Sequence, residues 1–290
     1  MRGGYGTDID GNPTLALIEQ RSSTRAFADI PVSEEQREAV LHAASRAPSA
    51  GAMMMYSIID IRERGTLDRL SVLCDNQPFI ARAPWALLFV VDYAKWIALF
   101  EHDGCFEPEF AERTGREPRR TPGLGEFAIA AQDTVIAAQT AAIAAESVGL
   151  GSCYIGDVVE RCEEMAELLE LPAYTVPLSL LVLGVPAKER PATPHPVENL
   201  VMYEHYTPAS DEVLDSQTAE MDAMFRPHAS EPGARVQDIY TRKHTSAFMA
   251  EMCRSMERWL GNWTGEDVIR AAVDGGARSE NPEGSGSPEV

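Results

Sequence analysis

Arg21, Ser23 and Arg25 recur at a spacing of two in the polar stretch Arg21-Ser22-Ser23-Thr24-Arg25-Ala26-Phe27. In an extended segment alternate side chains project to one face. Two guanidinium groups and a hydroxyl would then point the same way. Guanidinium forks pair with phosphate oxygens through parallel, charge-assisted hydrogen bonds, so this set suits a phosphate. A solvated basic patch has the same composition, and spacing alone does not separate the two. The chain carries 25 Lys+Arg against 45 Asp+Glu, a net charge of −20. A concentrated basic site within such a field favours the anion-binding reading.

A second candidate is Gly149-Leu150-Gly151-Ser152-Cys153-Tyr154-Ile155-Gly156. It fails as a dinucleotide fingerprint, because Tyr154 falls at a glycine position and a helix, not a strand, precedes it. Gly123-Leu124-Gly125 fails likewise. The glycines could bring backbone N–H groups close to a planar ligand, or could simply end the preceding helix. No G-x-S-x-G, H-E-x-x-H or P-loop occurs, and no side chain is nominated as catalytic. An anion clamp with a glycine-rich approach but no nucleophile–base set fits chemistry carried by a cofactor. Cysteines at 74, 105, 153, 162 and 253 are odd in number and form no C-x-x-C, so buried or incidental thiols are expected rather than a disulfide framework or zinc site.

The elements that must position these residues follow from caps and periodicity. Asn12-Pro13 starts a helix whose buried side would be Leu15, Leu17 and Ile18. Ser33-Glu34-Glu35-Gln36 is a capping box opening a helix to about Arg46, closed by the small turn Pro48-Ser49-Ala50-Gly51. Residues 56–61 read as a strand and 66–73 as a short helix. Residues 85–91 and 178–183 are continuous apolar runs, as in strands covered on both faces. Residues 95–125, rich in Pro, Gly and charge, read as an irregular lid or insertion. Residues 126–148 form an Ala-rich helix apolar on most sides and hence central. Helices are also expected at 160–169 and 241–259. Strands that do not alternate regularly with helices imply an α+β arrangement.

Hydrophobic residues make up 44% of the 290-residue chain, enough for a substantial core. No unbroken apolar run approaches the roughly 18 residues of a membrane helix, and the N-terminus lacks a signal-like stretch. The expectation is a cytoplasmic protein whose acidic surface repels nucleic acid and anionic membranes.

Several segments, in order, resemble the FMN-dependent nitroreductase family. Residues 21–27 are similar to its R-x-S-x-R-x-F phosphate motif, Ala47-Pro48-Ser49-Ala50-Gly51 to its A-P-S turn, and residues 74–80 to a segment of one branch. Residues 133–156 are similar to its long helix and following loop, and Leu183-Gly184-Val185-Pro186 to its late strand. Residues 239–259 resemble a C-terminal extension found in part of the family. The resemblance implies an α+β, nitroreductase-like three-layer sandwich forming an intertwined homodimer. It implies an FMN-binding domain (13–263, with the lid at 95–125 and the extension at 208–263) after an N-terminal arm (1–12); the segment 274–290, without an aromatic residue, reads from its composition as a disordered tail.

Carried over residue by residue, Arg21, Ser23 and Arg25 would hold the FMN phosphate and ribityl chain, with the Ser22 backbone nearby. Gln77 would hydrogen-bond the flavin. Pro48, Ser49 and Ala50 would approach it from the other subunit. Tyr154, Ile155 and Gly156 would line the ring, and Arg190 would complete the phosphate site. Two departures stand out. Ala52 replaces an Asn common among relatives, followed by Met53-Met54-Met55, of which at least two are expected in the core. The basic pair of relatives is represented only by Lys188 and Arg190, while Pro194-His195-Pro196 lacks Arg. The activity implied is NAD(P)H-dependent, ping-pong hydride transfer to a small-molecule electrophile such as a nitroaromatic or quinone. Alternatives on the same scaffold are a flavin reductive dehalogenase or dehydrogenase, or a non-catalytic flavin-storage protein. A non-flavin interaction protein would leave the Arg21 motif a surface patch. Arg116, Arg119, Arg120 and Arg242 could meet the extra phosphate of NADPH or could be solvated.

Overall fold

The structure, a computed structural model, describes residues 11–116, 119–188, 200–228 and 230–269. Among these residues one sheet holds four antiparallel strands in the order β1-β2-β4-β3: β1 Tyr56–Ile61, β2 Trp85–Asp92, β3 Gly151–Ile155 and β4 Thr175–Gly184. The two expected apolar strands are the central pair, and every residue of β2 is buried. Alternation along β2 and β4 divides the core in two. Trp85, Leu87, Phe89, Leu181 and Leu183 face one side with helices α2 (Glu34–Ser45) and α7 (Leu124–Ser147). Ala86, Leu88, Val90, Leu180 and Val182 face the other, with α3 (Arg64–Leu73), α4 (Pro78–Arg82), α8 (Cys162–Leu169) and α11 (Ala247–Thr264). This is an α+β sandwich of helices, sheet and helices. Pro177 in β4 lies at a register shift, beyond the residues that pair with β3, where a strand tolerates the missing N–H.

The caps behave as their chemistry predicts. The Asn12 side chain accepts from the Thr14 and Leu15 N–H groups of α1 (Pro13–Gln20), and Ser33 with Gln36 closes the capping box of α2. Leu15 and Ile18, however, are 48% and 51% exposed, so the expected buried side of α1 faces outward. The long helix is not central within this chain either. Ala137, Ala138, Ala141, Ala142 and Ala145 press fully buried onto the sheet, whereas Leu124, Ile129, Val135 and Ile136 are exposed. By length and apolar content α7 would pass as a membrane span, which counting unbroken apolar runs misses.

Three other expectations are corrected. Residues 95–125 are not irregular: α5 (Ala94–His102) and α6 (Pro108–Thr114) lie there, and the Pro and Gly that read as loop are the start of α6 and its left-handed stop at Gly115. The Gly149–Gly156 segment is largely a strand, its tail paired with β4. The C-terminal region adds α9 (Asp211–Phe225) and α10 (Ala234–Ile239), then a π-helical turn at Tyr240–His244, so the last helix begins only at the Ser246 cap. Met55 is buried and Met53 packs on the core, while Met54 is exposed. The 1–10 arm, Arg190, Pro194-His195-Pro196 and the 274–290 tail lie outside the described residues.

Candidate functional site

The segment after α1 is extended and runs beside the sheet. Thr24 N–H donates to Ser152 O at 2.8 Å, Ala28 N–H to Val185 O at 2.8 Å and Ala187 N–H to Ala26 O at 2.9 Å. Thr24 is buried against β3. A Cβ on Gly151 would lie 2.3 Å from Thr24 Oγ1 and 2.9 Å from Pro186 Cγ, so only glycine admits this approach. With Thr24 turned inward, the extended backbone sends its neighbours Ser23 and Arg25 the other way. The Arg25 guanidinium lies 5.8 Å from the centroid of the Phe79 ring, two residues after Gln77.

Arg21 approaches β3 from the same edge. Burial pushes the Tyr154 hydroxyl pKa well up, and the Arg21 charge opposes that rise. The same cation acts on Glu146, at the end of α7, whose carboxyl is pushed up by burial. The Tyr154 hydroxyl donates to Gln139 Oε1 at 3.2 Å. Ile155 points into the core, 2% exposed, so only its backbone can meet a ligand. Gly156 has no atom within 4 Å of a built Cβ and no unusual φ. Neither backbone strain nor packing within the chain demands a glycine there; the space is open for an occupant.

Gln77 reaches this edge through Asp157, the residue after Gly156. Its Nε2 donates to Asp157 Oδ2 and to Cys74 O at 3.0 Å. Burial raises the Asp157 pKa, Lys243 and Gln77 oppose that, and Asp75 adds to it. Glu160, 5% exposed, is pushed up to about 7 by burial, then by Asp157 and Asp75. Burial likewise pushes the Cys74 thiol up, so this buried cysteine is no thiolate nucleophile.

Pro48, Ser49 and Ala50 sit on another part of the molecule. Ala50 N–H donates to Asp133 Oδ1 of α7 at 2.9 Å, and Met54 N–H to Ser49 Oγ at 3.1 Å. Ala52 follows at φ 56°, a left-handed conformation that Asn tolerates better than Ala. Lys188 is exposed. Sequence reasoning missed Glu146, Asp133 and Asp157. The first two are acids inside an Ala-rich helix, and that placement was a usable signal. Asp157 had none, because its partner is 80 residues away.

The donor set fits an anion joined to a flat group. Arg37, Arg62, Arg120, Arg242 and Arg254 are each ion-paired, whereas neither Arg21 nor Arg25 is in an ion pair among the described residues. These two cations lie on one edge, Arg25 over the Phe79 ring and Arg21 beside Glu146, where an added phosphate could pair with both. The open position at Gly156 directly follows the end of β3.

Comparisons with known proteins give the family. The profile of the nitroreductase family matches residues 18–185. The chain is 33% identical over 202 residues to an FMN reductase [NAD(P)H] of Bacillus subtilis, covering 70% of this chain and 77% of that protein. It is 33% identical over 214 residues to an oxygen-insensitive NADPH nitroreductase of Salmonella typhimurium, with coverages of 72% and 82%. Among solved structures, the hypothetical oxidoreductase YcnD from Bacillus subtilis superposes with a TM-score of 0.71 at 29% identity, covering 86% of this chain and 97% of that one. With more than half of its length, residues 18–185, matched by the family profile, this chain belongs to the nitroreductase family.

Proposed function

We propose that this protein is an FMN-dependent oxidoreductase that draws reducing equivalents from NADPH or NADH. The single observation carrying the reading is the pair of arginines, Arg21 and Arg25, left without ion pairs along the edge that also holds Gly156. Arg21, Ser23 and Arg25 bind the phosphate and ribityl chain, with the Ser22 backbone beside them. Gln77 and the Gly156 N–H orient the ring, and Tyr154 shields its side. Arg190 is proposed to add a further cation at the phosphate. Bound FMN supplies two-electron hydride chemistry, here directed to a nitroaromatic, a quinone or a similar small electrophile. The Gly156 N–H is a fixed donor for charge that develops beside it, which requires no side-chain acid or base.

The reading includes a homodimer. The exposed apolar residues of α7 (Leu124, Ile129, Val135 and Ile136) and of α1 (Leu15 and Ile18) are too many to be left to water without cost. In this reading the Pro48–Ala50 turn, held within its own chain at Asp133 of α7, approaches the flavin bound by the second copy. The relatives named FMN reductase and NADPH nitroreductase support the cofactor and the hydride donor.

The test is a visible spectrum of the purified protein, repeated anaerobically with NADPH and with NADH. The expected result is a flavin spectrum that bleaches, followed by reoxidation with a nitroaromatic or a quinone. A flavin that neither nucleotide reduces would favour the storage reading. A colourless protein that FMN cannot reconstitute would overturn the proposal.

A further inference from the structure

The turn that delivers Gln77 holds one side chain in one orientation. Asp75 (φ 55°) and Asn76 (φ 51°) are consecutive left-handed residues, a conformation these two residue types adopt more readily than other non-glycine residues. The Gln77 N–H returns to Ser71 O at 2.8 Å. A primary amide has two N–H donors and one acceptor oxygen. Both donors of Gln77 are engaged, one by Cys74 O and one by Asp157 Oδ2. Oε1 accepts no hydrogen bond among the described residues. Turning the amide over would set Oε1 against a carbonyl or a carboxylate oxygen, an unpaired contact of two acceptors.

We propose that Asp157 is a positioning residue: it locks the Gln77 amide so that only its carbonyl oxygen faces the bound flavin. The proposal rests on the reading of Gln77 as a flavin contact. An oxidised isoalloxazine carries one ring N–H, the imide at N3, flanked by two carbonyl oxygens. A locked Gln77 can accept from that N–H and cannot donate to either carbonyl. An unlocked one could do both in turn. Asp157 would therefore make the site selective for an unsubstituted imide. It would also deny the ring a donor that favours added negative charge, keeping the midpoint potential of the bound flavin low.

The experiment compares wild type, Asp157→Asn, Asp157→Ala and Gln77→Ala, each reconstituted with FMN or with 3-methyl-FMN, which lacks the N3 proton. Kd is read from flavin fluorescence and the midpoint potential by spectroelectrochemistry. Wild type is expected to prefer FMN by about tenfold, the worth of one hydrogen bond. Asp157→Ala, which removes the acceptor, should lose most of that preference and raise the potential, whereas Asp157→Asn, whose amide oxygen can still accept from Nε2, should retain more of the preference. If the folded Asp157→Ala variant keeps the wild-type preference and potential while Gln77→Ala loses the preference, the lock is wrong but the contact stands. If Gln77→Ala also changes neither quantity, the contact itself is refuted, and the lock with it.

Discussion

Single residues set the charge balance of the site. Arg21 and Arg25 form no ion pair among the described residues, and in the proposed site both guanidinium groups pair with the phosphate. Replacing both with Ala should weaken FMN binding by more than about 100-fold, two charge-assisted contacts at roughly 1.5–3 kcal/mol each. The check is the flavin-to-protein ratio after gel filtration; stoichiometric retained flavin would refute the clamp. Glu160 behaves differently. Its pKa of about 7 lies above the ordinary 4.5 because it is buried beside Asp157, Asp75 and Glu251, with only Arg161 opposing. The folded state therefore keeps a proton that the unfolded chain releases. Stability should fall as pH rises from about 4.5 through 7. Glu160→Gln removes that ionisation, so its stability relative to wild type should be higher at pH 8 than at pH 5 by on the order of 1–2 kcal/mol. Urea unfolding at the two pH values measures this difference.

At the scale of elements, the late helix α11 is part of the core rather than an appendage. Trp259 and Trp263 are fully buried. Their indole N–H groups donate to Val159 O at 3.0 Å and Gly123 O at 2.9 Å. Ser255 Oγ accepts from the Cys162 N–H and donates to Val159 O. The helix thereby pins the turn that follows Gly156. Asn262, fully buried, donates to Pro172 O and Thr175 O and accepts from the Ile269 N–H. Asn262→Ala would take this partner from Thr175 O and the Ile269 N–H, while Pro172 O keeps the Thr175 hydroxyl, at a cost of about 2–4 kcal/mol. Calorimetry should show a Tm lower by roughly 5–10 °C, with the FMN ratio unchanged at room temperature.

On the whole-molecule scale, α7 divides its duties. Its alanines allow close approach to the sheet, and its larger apolar side chains, Ile129 and Ile136 among them, face away. A helix with this distribution is central in the proposed dimer without being central in one chain. Ile129→Glu combined with Ile136→Glu should give a folded monomer by sedimentation velocity, because two buried charges without partners would oppose the interface. If the Pro48–Ala50 turn acts across the interface, the same variant should also bind FMN at least about tenfold more weakly, the loss of one good contact. A dimer that survives with full flavin would overturn this arrangement.

What the sequence determined by itself was local. Asn12-Pro13 and the Ser33–Gln36 box start helices where they should, because capping is satisfied within a few residues. The apolar runs at 85–91 and 178–183 became the two central strands because continuous apolarity has few other outcomes. Arg21, Ser23 and Arg25 were legible because alternation in an extended chain needs no partner. Tertiary structure decided the rest. Tyr154 faces outward while Ile155 is buried because β3 pairs with β4, a register no local pattern encodes. Gln77 meets Asp157, and Thr24 meets Gly151, only because distant segments converge on one sheet edge. Side-chain type can be read along a chain, but which acid orients which amide depends on contacts between residues far apart in it.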